Sequence, residues 1–398
     1  MISVDEVIQR VTAAFKPLES ETVPLGAAFG RVLAEDAKAR LDQPPFPVSA
    51  MDGYAVRMRD AASIPATLRV IGSAPAGHPY EGKVGESEAV RIFTGGVVPE
   101  GADAIVIQED TSRDGDNVTI KQAAVAGKHI RNAGLDFVRG GVLASAGQRL
   151  RARDLALLAA GDLPSVSVRR RPRVAFAGTG DELSLPGTPR KPGGIVASSG
   201  YGLSAMVTTW GGEPVDLGVL PDNADALGAL PERAKGADLI VTMGGASVGD
   251  HDLVRTALQP KGFVLDFWKI AMRPGKPLIF GRLGTTPFLG LPGNPVSSFV
   301  CALLFLKPAI ATMLGETPKP RLRAARITKA LPANDSRQDY LRASLTFRDG
   351  EWRTEPFAVQ DSSMQSAFAA ADCLIVRAPH ASAATIGERV DVLPLEDV

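Results

Sequence analysis

The chain has 398 residues, and 44 lysines and arginines balance 44 aspartates and glutamates. This length predicts two to four domains, each large enough to bury its own core. The zero net charge excludes an overall basic field that would hold a nucleic acid or an anionic membrane, so any anion must be bound by a local cluster.

The cysteines and histidines exclude a disulfide framework and a structural zinc site. Cys301 lies in an apolar run and Cys373 in a strand-like segment, so both are predicted to be small buried apolar residues. The four histidines are scattered along the sequence, and none is spaced from another histidine or a cysteine as a metal ligand would be.

The N-terminus predicts an amphipathic helix and not a signal peptide. Ser3 and Glu6 have the spacing of a capping box, and apolar residues recur on one helix face as far as Phe15. We therefore expect a cytoplasmic protein. The longest apolar stretch, 296–314, is interrupted by Lys307-Pro308 and is predicted to be a buried helix that is too short to span a membrane.

Two composition changes divide the N-terminal half. The prolines in segment 41–48 remove backbone donors and favour extended backbone, which predicts a crossing between domains. Between residues 51 and 128, short apolar segments alternate with Gly, Pro and Asp turns, a pattern typical of a small β-rich domain. The arginine-rich segment 169–173 is predicted to be a linker.

Strands alternate with helical patterns after residue 173, which predicts an α/β domain with a parallel or mixed sheet between two helix layers. The predicted strands are 174–177, 214–219, 239–243 and 287–291. The predicted helices are 201–210, 224–235, 253–258 and 296–314.

The last segment has short strands, turns and little helical periodicity, which predicts a small C-terminal β-barrel or sandwich. The chain thus belongs to the α/β and β multidomain class. The predicted domains are a discontinuous N-terminal domain at 1–44 with 129–168, a β-rich domain at 45–128, an α/β domain at 169–318 and a β-barrel at 319–398.

The first predicted strand of the α/β domain ends in a polar, glycine-rich segment, 177–183. An apolar strand opens there into two glycines, a hydroxyl and the carboxylates of Asp181 and Glu182. Ligands of open parallel sheets bind at such strand ends. Taken alone, the segment is better explained as an ordinary strand-to-helix turn, since such turns often carry Gly and Asp.

The second segment, 242–252, follows the predicted strand 239–243 and contains three glycines. Glycines allow backbone amides to approach a phosphate, and Asp250 and Asp252 offer oxygen ligands for Mg²⁺. A helix N-cap by either aspartate is the structural alternative. The spacing does not match a Walker A loop, which disfavours P-loop chemistry.

The third segment, 290–298, leads from a strand end into a long helix and would place a helix N-terminus at the same edge. A purely structural turn is the alternative. Just upstream, Lys269, Arg273 and Lys276 lie in a loop that prolines and a glycine restrain, which favours an oxyanion site over ordinary solvated surface. Together the three segments predict a site for a phosphorylated ligand with a divalent cation. They do not distinguish a nucleotide from a sugar phosphate, or a transferase from a sensor.

The ordered motifs resemble the MoeA-type molybdopterin molybdenumtransferases, a family that includes the E domain of gephyrin. The resemblance covers nearly the whole chain and is carried by Ser49-Ala50-Met51-Asp52-Gly53-Tyr54-Ala55, Thr94-Gly95-Gly96, residues 99–104, Gly178-Thr179-Gly180-Asp181-Glu182-Leu183, residues 244–252, Pro274-Gly275-Lys276-Pro277 and residues 291–297.

The resemblance implies an enzyme that inserts molybdenum from molybdate into adenylylated molybdopterin and releases AMP, with Mg²⁺ as cofactor. It implies a molybdopterin-binding α/β domain and an elongated homodimer, in which each active site lies between the α/β domain of one subunit and the N-terminal domains of the other. Other proteins of molybdenum-cofactor synthesis, or acceptor enzymes, are further candidate partners.

The same resemblance implies roles for individual residues. Glu182, Asp222 and Asp252 belong to the nucleotide and Mg²⁺ side, and Asp52, Thr94 and Asp136 reach in from the partner subunit, although each of the six is also explained as a turn or cap residue. Gly244, Gly245 and Ser247 lie in the glycine-rich loop. The molybdate pocket is assigned to Arg342, Ser362, Arg273, Lys276 and Ser297, with Lys269 as a phosphate ligand.

The chain departs from the family pattern in three segments. Ala197-Ser198-Ser199 stands where the family has Asp-Ser-Asn, Arg273 replaces a lysine, and Gly134-Leu135-Asp136 replaces Gly-Glu-Asp. The first departure removes two polar ligand contacts and leaves open a non-catalytic scaffold that binds molybdopterin. A molybdopterin adenylyltransferase, which uses a similar α/β domain, is the other alternative.

Overall fold

The computed structural model describes residues 1–245, 253–318, 322–396 and 398, which form two compact units that are both discontinuous in sequence. One unit comprises Met1–Glu21, Gly30–Ala34 and Val168–Val398. The other comprises Thr22–Phe29 and Glu35–Ser167. All the predicted site residues except Asp52, Thr94 and Asp136 therefore fall within the sequence range of the first unit.

The second unit is built around a six-stranded mixed sheet, as the sequence predicts for its β-rich region. The Gly53–Val56 strand is buried along its whole length because apolar clusters cover both faces of the sheet. In sheet order the strands are Ala104–Ile107, Gly53–Val56, Glu88–Ile92, Ala66–Ala74, Asn117–Ile120 and Thr111–Asp114.

Shorter elements complete this unit. The described elements are the helix Ala152–Ala160, the 3-10 helices Leu25–Ala27, Met58–Ala61 and Gln108–Asp110, the antiparallel pair Ala37–Lys38 with Val142–Ala144, and the antiparallel pair Val48–Ser49 with Ile130–Arg131. The chain passes between the units four times, and two of these passages fall within the strands Ser20–Pro24 and Ser165–Arg169.

The first unit contains the predicted α/β sheet, which has six strands. In sheet order they are Glu213–Leu220, Arg173–Thr179, Leu239–Met243, Thr286–Leu291, Ile279–Leu283 and Phe263–Trp268. The first four are parallel and match the four predicted strands, whereas the last two are antiparallel and were not predicted. The sheet is therefore mixed, and the carboxyl ends of its parallel strands share one edge.

Helices cover both faces of this sheet, and the alternation along each strand explains why. On the central strand Val174 and Phe176 face one apolar cluster while Ala175 and Ala177 face the other. The described helices of this domain are Ser199–Thr209, Ala224–Gly228, Leu230–Arg233, Leu253–Leu258, Pro295–Cys301 and Lys307–Met313, with the 3-10 helix Gln259–Lys261.

The single helix predicted at 224–235 is wrong, because two short helices meet at Ala229. Pro231 lies in the first turn of the second helix. A proline has no N–H to donate to the preceding turn, so it begins a new helix here instead of continuing the first.

The helix predicted at 296–314 is confirmed and runs without a break from Pro295 to Met313, so the prediction that Lys307-Pro308 leaves the apolar stretch too short to span a membrane is wrong. The residues just before the proline, Ala302–Leu306, form a π-helix, whose i to i+5 bonds allow the helix to continue through a residue without an N–H. Helix Pro295–Met313 is long and apolar enough to cross a membrane, but 72% of it is buried inside the protein. It is a core helix of the α/β domain, as predicted.

The N-terminal helix, Val4–Ala13, packs its Val4, Val7 and Val11 face into the same core cluster. The Ser3 hydroxyl accepts a hydrogen bond from the Glu6 N–H at 3.2 Å, as the capping prediction requires. The Glu6 carboxylate instead bonds Arg10 at 2.6 Å.

The C-terminal residues form the predicted β-barrel. Its five strands, in order around the barrel, are Gln338–Arg348, Glu351–Pro356, Arg323–Ile327, Arg389–Pro394 and Cys373–Arg377, and the last pairs with the first. The short strand Met272–Arg273 adds to the barrel by pairing with Gln338 and Asp339, and the helix Gln365–Ala369 lies in a barrel loop. Cys301 and Cys373 are both buried and free, as predicted.

Candidate active site

A cleft of about 1200 Å³ opens at the carboxyl ends of the parallel strands. Its walls come from the α/β sheet loops, from the start of the long helix and from barrel residues 360–365, all within one unit. The cleft is lined by eight of the residues that the sequence predicts for the site: Glu182, Asp222, Gly244, Gly245, Arg273, Lys276, Ser297 and Ser362.

The remaining predicted residues lie elsewhere. Asp52, Thr94 and Asp136 belong to the other unit, and Lys269 and Arg342 are outside the cleft lining. Ser247, Asp250 and the predicted Mg²⁺ ligand Asp252 lie outside the described residues.

One side of the cleft is acidic. Glu182 and Asp222 line it, and the Asp222 N–H donates to Asp181 Oδ1 at 3.1 Å. The pKa of Asp222 is raised, first because its carboxylate is partly desolvated and then because Glu182 and Asp181 are negatively charged. In the described part of the chain, no group of three or more His, Cys, Asp and Glu residues has the geometry of a metal site.

Two glycines with positive φ lie at the strand ends beside the cleft. Gly180 has a φ of +152°, and a Cβ there would be 2.6 Å from the Glu182 carboxylate. Gly244 has a φ of +104°, and a Cβ there would be 2.6 Å from the Thr179 carbonyl oxygen. A side chain at Gly180 would move the Glu182 carboxylate, and one at Gly244 would separate the glycine-rich loop from the end of the Arg173–Thr179 strand.

Arg342 differs from the other cations because it is buried without being paired. It lies on the barrel strand Gln338–Arg348 with 1% exposure, and its Nε and Nη2 atoms have no hydrogen-bond partner among the described residues. Burial lowers the pKa of Arg342, and the charge of Asp361, a residue of the cleft lining, partly opposes this shift. Such an arrangement is costly unless a negatively charged group approaches the guanidinium.

Arg273 lines the cleft, but its guanidinium is already held by carboxylates. Its Nε donates to Asp339 Oδ1 at 2.9 Å and its Nη2 donates to the other oxygen of the same carboxylate. Asp335 lies 3.5 Å from Nη1. This pairing raises the pKa of Arg273, and it joins a loop of the α/β domain to the barrel.

The start of the long helix is also joined to the barrel loop at the cleft. Asn294 Nδ2 donates to Ser362 Oγ at 2.9 Å, and the Val296 N–H donates to the Ser362 carbonyl oxygen at 3.2 Å. Ser297, in the first turn of this helix, is 5% exposed. The start of the helix thus lines the cleft, with Ser362 fixed beside it.

Lys269, the predicted phosphate ligand, contacts an aromatic ring. Its ammonium lies 3.9 Å from the centroid of the Trp268 ring, a cation–π interaction, and its backbone has a φ of +75°.

Sequence reasoning missed the barrel residues that line the cleft, among them Arg337, Asp361 and Gln365. Gln365 Nε2 donates to Ser198 Oγ at 2.6 Å, in the segment that departs from the family pattern. These two residues are 167 positions apart in sequence, so no local pattern could have identified the contact.

In the other unit, Asp52 and Thr94 are bonded to each other. The Thr94 N–H and hydroxyl both donate to Asp52 Oδ1, at 2.8 and 2.9 Å, and lower the pKa of Asp52. The Asp136 N–H donates to the Gln43 carbonyl oxygen. Two residues from distant motifs therefore form one small cluster, with Asp52 held ionised.

Comparison with known proteins gives family matches over most of the chain. Residues 2–161 match the model of the MoeA N-terminal region (domain I and II), residues 175–312 match that of the probable molybdopterin binding domain, and residues 324–395 match that of the MoeA C-terminal region (domain IV).

Full-length relatives agree. The chain is 34% identical to the molybdopterin molybdenumtransferase of Haemophilus influenzae, over 95% of this chain and 94% of that protein. It is 39% identical to the molybdopterin molybdenumtransferase of Nostoc sp., over 83% of this chain and 78% of that protein. The crystal structure of a molybdopterin biosynthesis MoeA protein from Pyrococcus horikoshii aligns with a TM-score of 0.86 and 32% identity, over 99% of both chains. The motifs, the domain order and these matches together establish that the chain belongs to the MoeA family.

Proposed function

We propose that the protein is a molybdopterin molybdenumtransferase, which transfers molybdenum from molybdate to adenylylated molybdopterin with release of AMP. The observation that carries this proposal is the cleft at the sheet edge, where the acids Glu182 and Asp222 and the donors Lys276, Ser297 and Ser362 line one cavity. Arg342 lies behind this lining, where its backbone N–H donates to Gln360 at 2.9 Å and its buried Nε and Nη2 lack partners among the described residues. A tetrahedral dianion such as molybdate supplies the acceptors that these donors require.

The proposal assigns the anion pocket to the barrel side of the cleft. Arg342 supplies the charge, Lys276 supplies a second cation, and Ser297 and Ser362 supply hydroxyl donors close to the helix N-terminus. Since Asp339 holds Arg273, we assign to Arg273 the role of fixing the pocket loop against the barrel. Lys269 remains a proposed phosphate ligand at the edge of the site.

Mg²⁺ fits the acidic side of the cleft. Glu182 and Asp222 offer oxygen ligands, and the pKa of Asp222 is raised by partial burial and then by the negative charges of Glu182 and Asp181, which a bound cation would offset. When bound, Mg²⁺ would offset the phosphate charge and polarise the anhydride. Asp252 is the proposed third ligand, and Gly244, Gly245 and Ser247 are proposed to bind the phosphates through the loop.

The proposal includes a cytoplasmic homodimer whose N-terminal domains complete the partner's cleft. Asp52, Thr94 and Asp136 are the residues proposed to do so, and the bonded Asp52–Thr94 pair supports a functional role for two of them. It also retains the four predicted domains, 1–44 with 129–168, 45–128, 169–318 and 319–398. Sedimentation velocity that detects only a monomer would contradict this part of the proposal.

A scaffold that binds the substrate without converting it is the second candidate. The observation that favours it is the Ala197-Ser198-Ser199 segment, where Ser198 is bonded to Gln365. Intact Asp52, Glu182 and Asp222 favour catalysis.

One incubation separates these functions. Purified protein is mixed with adenylylated molybdopterin, Mg²⁺ and molybdate, and AMP and metallated pterin are quantified. Both products are expected. Binding without turnover supports the scaffold, and adenylylation of molybdopterin from ATP in a parallel incubation supports an adenylyltransferase.

A further inference from the structure

Two buried threonine hydroxyls in the α/β sheet have no partner. Thr179 is 4% exposed and Thr242 is 0% exposed, and neither Oγ1 atom has a hydrogen-bond partner among the described residues. A buried hydroxyl without a partner destabilises a fold relative to an apolar group of the same shape. Each hydroxyl therefore requires an explanation.

Their positions in the sheet distinguish the two threonines. They lie on neighbouring parallel strands, where Ala177 pairs with Thr242. Thr242 is thus inside the sheet, beside Gly290 of the next strand and outside the cleft lining. Thr179 lies two residues further along, where its strand ends, and it lines the cleft.

The surroundings of Thr179 point to a phosphate. Gly244 lies directly against it, since a Cβ at Gly244 would be 2.8 Å from Thr179 Oγ1, and both residues line the cleft. Backbone amides of a glycine-rich strand end bind anions, and the absence of a side chain at Gly244 leaves space for an approaching group beside the hydroxyl. The acids Glu182 and Asp222 line the same cleft, so a metal-bound phosphate fits there better than an unscreened anion.

We propose that Thr179 is a further substrate-binding residue, whose hydroxyl donates a hydrogen bond to a phosphate oxygen of the nucleotide part of the substrate. The proposal rests on the proposed function for the identity of that substrate. Thr242, by contrast, is a structural residue with the same unsatisfied hydroxyl and no access to the ligand.

The test compares Thr179→Val with Thr242→Val, because valine keeps the shape of threonine and removes only the hydroxyl. In the free protein both variants are expected to melt at or slightly above the wild-type temperature, since neither loses a hydrogen bond. Binding is then measured by calorimetry with AMP and Mg²⁺ as the probe. Thr179→Ala replaces the valine variant if that variant does not melt cooperatively.

We expect the Kd for AMP to rise about tenfold in Thr179→Val, the effect of one hydrogen bond to a charged group. It should stay within about twofold of wild type in Thr242→Val and in Thr179→Ser, which keeps the hydroxyl. An unchanged Kd in Thr179→Val, equal losses in both valine variants, or no AMP binding by the wild type would overturn the proposal.

Turnover separates this proposal from the proposed function. If the wild type binds AMP but releases none from adenylylated molybdopterin with molybdate, the proposed function fails while the comparison of valine variants still decides the role of Thr179. If the wild type turns over and Thr179→Val binds AMP normally, only the role of Thr179 fails.

Discussion

The two sides of the cleft carry opposite charges in different surroundings. On the acidic side, Glu182 and Asp222 are exposed to the cleft, and their mutual repulsion contributes to the raised pKa of Asp222. On the barrel side, Arg342 is buried behind the cleft lining, with two guanidinium nitrogens lacking partners among the described residues. Water can screen the acids but not the arginine.

This difference indicates how strongly each side depends on its ligand. An exposed pair of carboxylates is tolerated without a cation, and a cation that binds between them stabilises them only moderately. A buried guanidinium whose N–H groups have no acceptor destabilises the fold more than an exposed pair of carboxylates does. An anion that reaches it gains hydrogen bonds without breaking an existing protein contact. We therefore expect substitutions on the cationic side to have the largest effects.

Of the substitutions that test this difference, Arg342→Met is expected to have the largest effect on turnover. Methionine preserves much of the side-chain volume and removes the charge, so molybdate-dependent AMP release is expected to fall by about 100-fold or more. Thermal stability should be unchanged or higher, because the two unpaired donors are lost with the side chain. The measurements are AMP release against molybdate concentration and a thermal melt.

Arg377→Met is the matched control. Arg377 is 7% exposed on the neighbouring barrel strand, and its Nη2 donates to the carbonyl oxygens of Pro332 and Ser382. Its loss should lower the melting temperature and leave the KM for molybdate unchanged. If Arg342→Met retained normal molybdate turnover, the assignment of the anion pocket would be wrong.

Asp222→Asn tests the acidic side and should have the next largest effect. The folded-state pKa of Asp222 lies above its ordinary value, so its ionisation disfavours the folded state as pH rises. The variant should therefore be more stable than wild type at neutral pH, and the difference should disappear as pH falls below the ordinary pKa of 3.8. Turnover should decrease by about tenfold to 100-fold, with a higher Mg²⁺ requirement.

Melting curves between pH 3 and 8 and Mg²⁺ titrations of AMP release measure these effects. Asp225→Asn, at an exposed position in the helix after Asp222, is the control for a general change in charge. An Mg²⁺ requirement identical to that of wild type would remove Asp222 from the metal site.

Arg273→Lys sharpens the contrast between paired and unpaired cations. Lysine restores the residue of the family pattern but cannot make the bidentate bond to Asp339, whose side chain is 6% exposed. We expect a loss of stability of about 1 kcal/mol and a KM for molybdate within twofold of wild type. A large change in this KM at unchanged stability would return Arg273 to the anion pocket.

The sequence predicted the fold where one local pattern decides the structure. The four parallel strands are short apolar runs that end in glycine or polar segments, and all four were found. The antiparallel strands Phe263–Trp268 and Ile279–Leu283 were missed because they flank the loop that was interpreted only for its cations. Pairing at the sheet edge, which is a long-range contact, makes them strands.

The residue types of the candidate site were predictable from the sequence, but whether each charged side chain is buried or paired was not. Local motifs identified Glu182, Ser297 and Gly244 as members of one sheet edge, and all three line the cleft. Whether a cation is free is decided by partners far along the chain, such as Asp339, 66 residues after Arg273. Burial and long-range pairing therefore carry the information that composition and spacing lack.

Thr94→Val tests a third carboxylate, that of Asp52, and should have the smallest effect on turnover. The pKa of Asp52 is lowered, opposite to that of Asp222, mainly because the Thr94 N–H and hydroxyl donate to it. Removing the hydroxyl should raise the pKa of Asp52 towards 3.8, while the backbone bond keeps part of the shift. The stabilisation from a lowered pKa is present above the unfolded-state value and is lost as pH falls through the folded-state value.

The stability difference between Thr94→Val and wild type should therefore be greatest at neutral pH and vanish in acid. Carbon-13 NMR titration of the Asp52 carboxylate measures the pKa, and Thr94→Ser, which keeps the hydroxyl, is the control. Turnover should decrease only about threefold to tenfold, the effect of one hydrogen bond. A pKa shift without any change in turnover would mean that the Asp52–Thr94 pair stabilises its own unit and takes no part in the reaction.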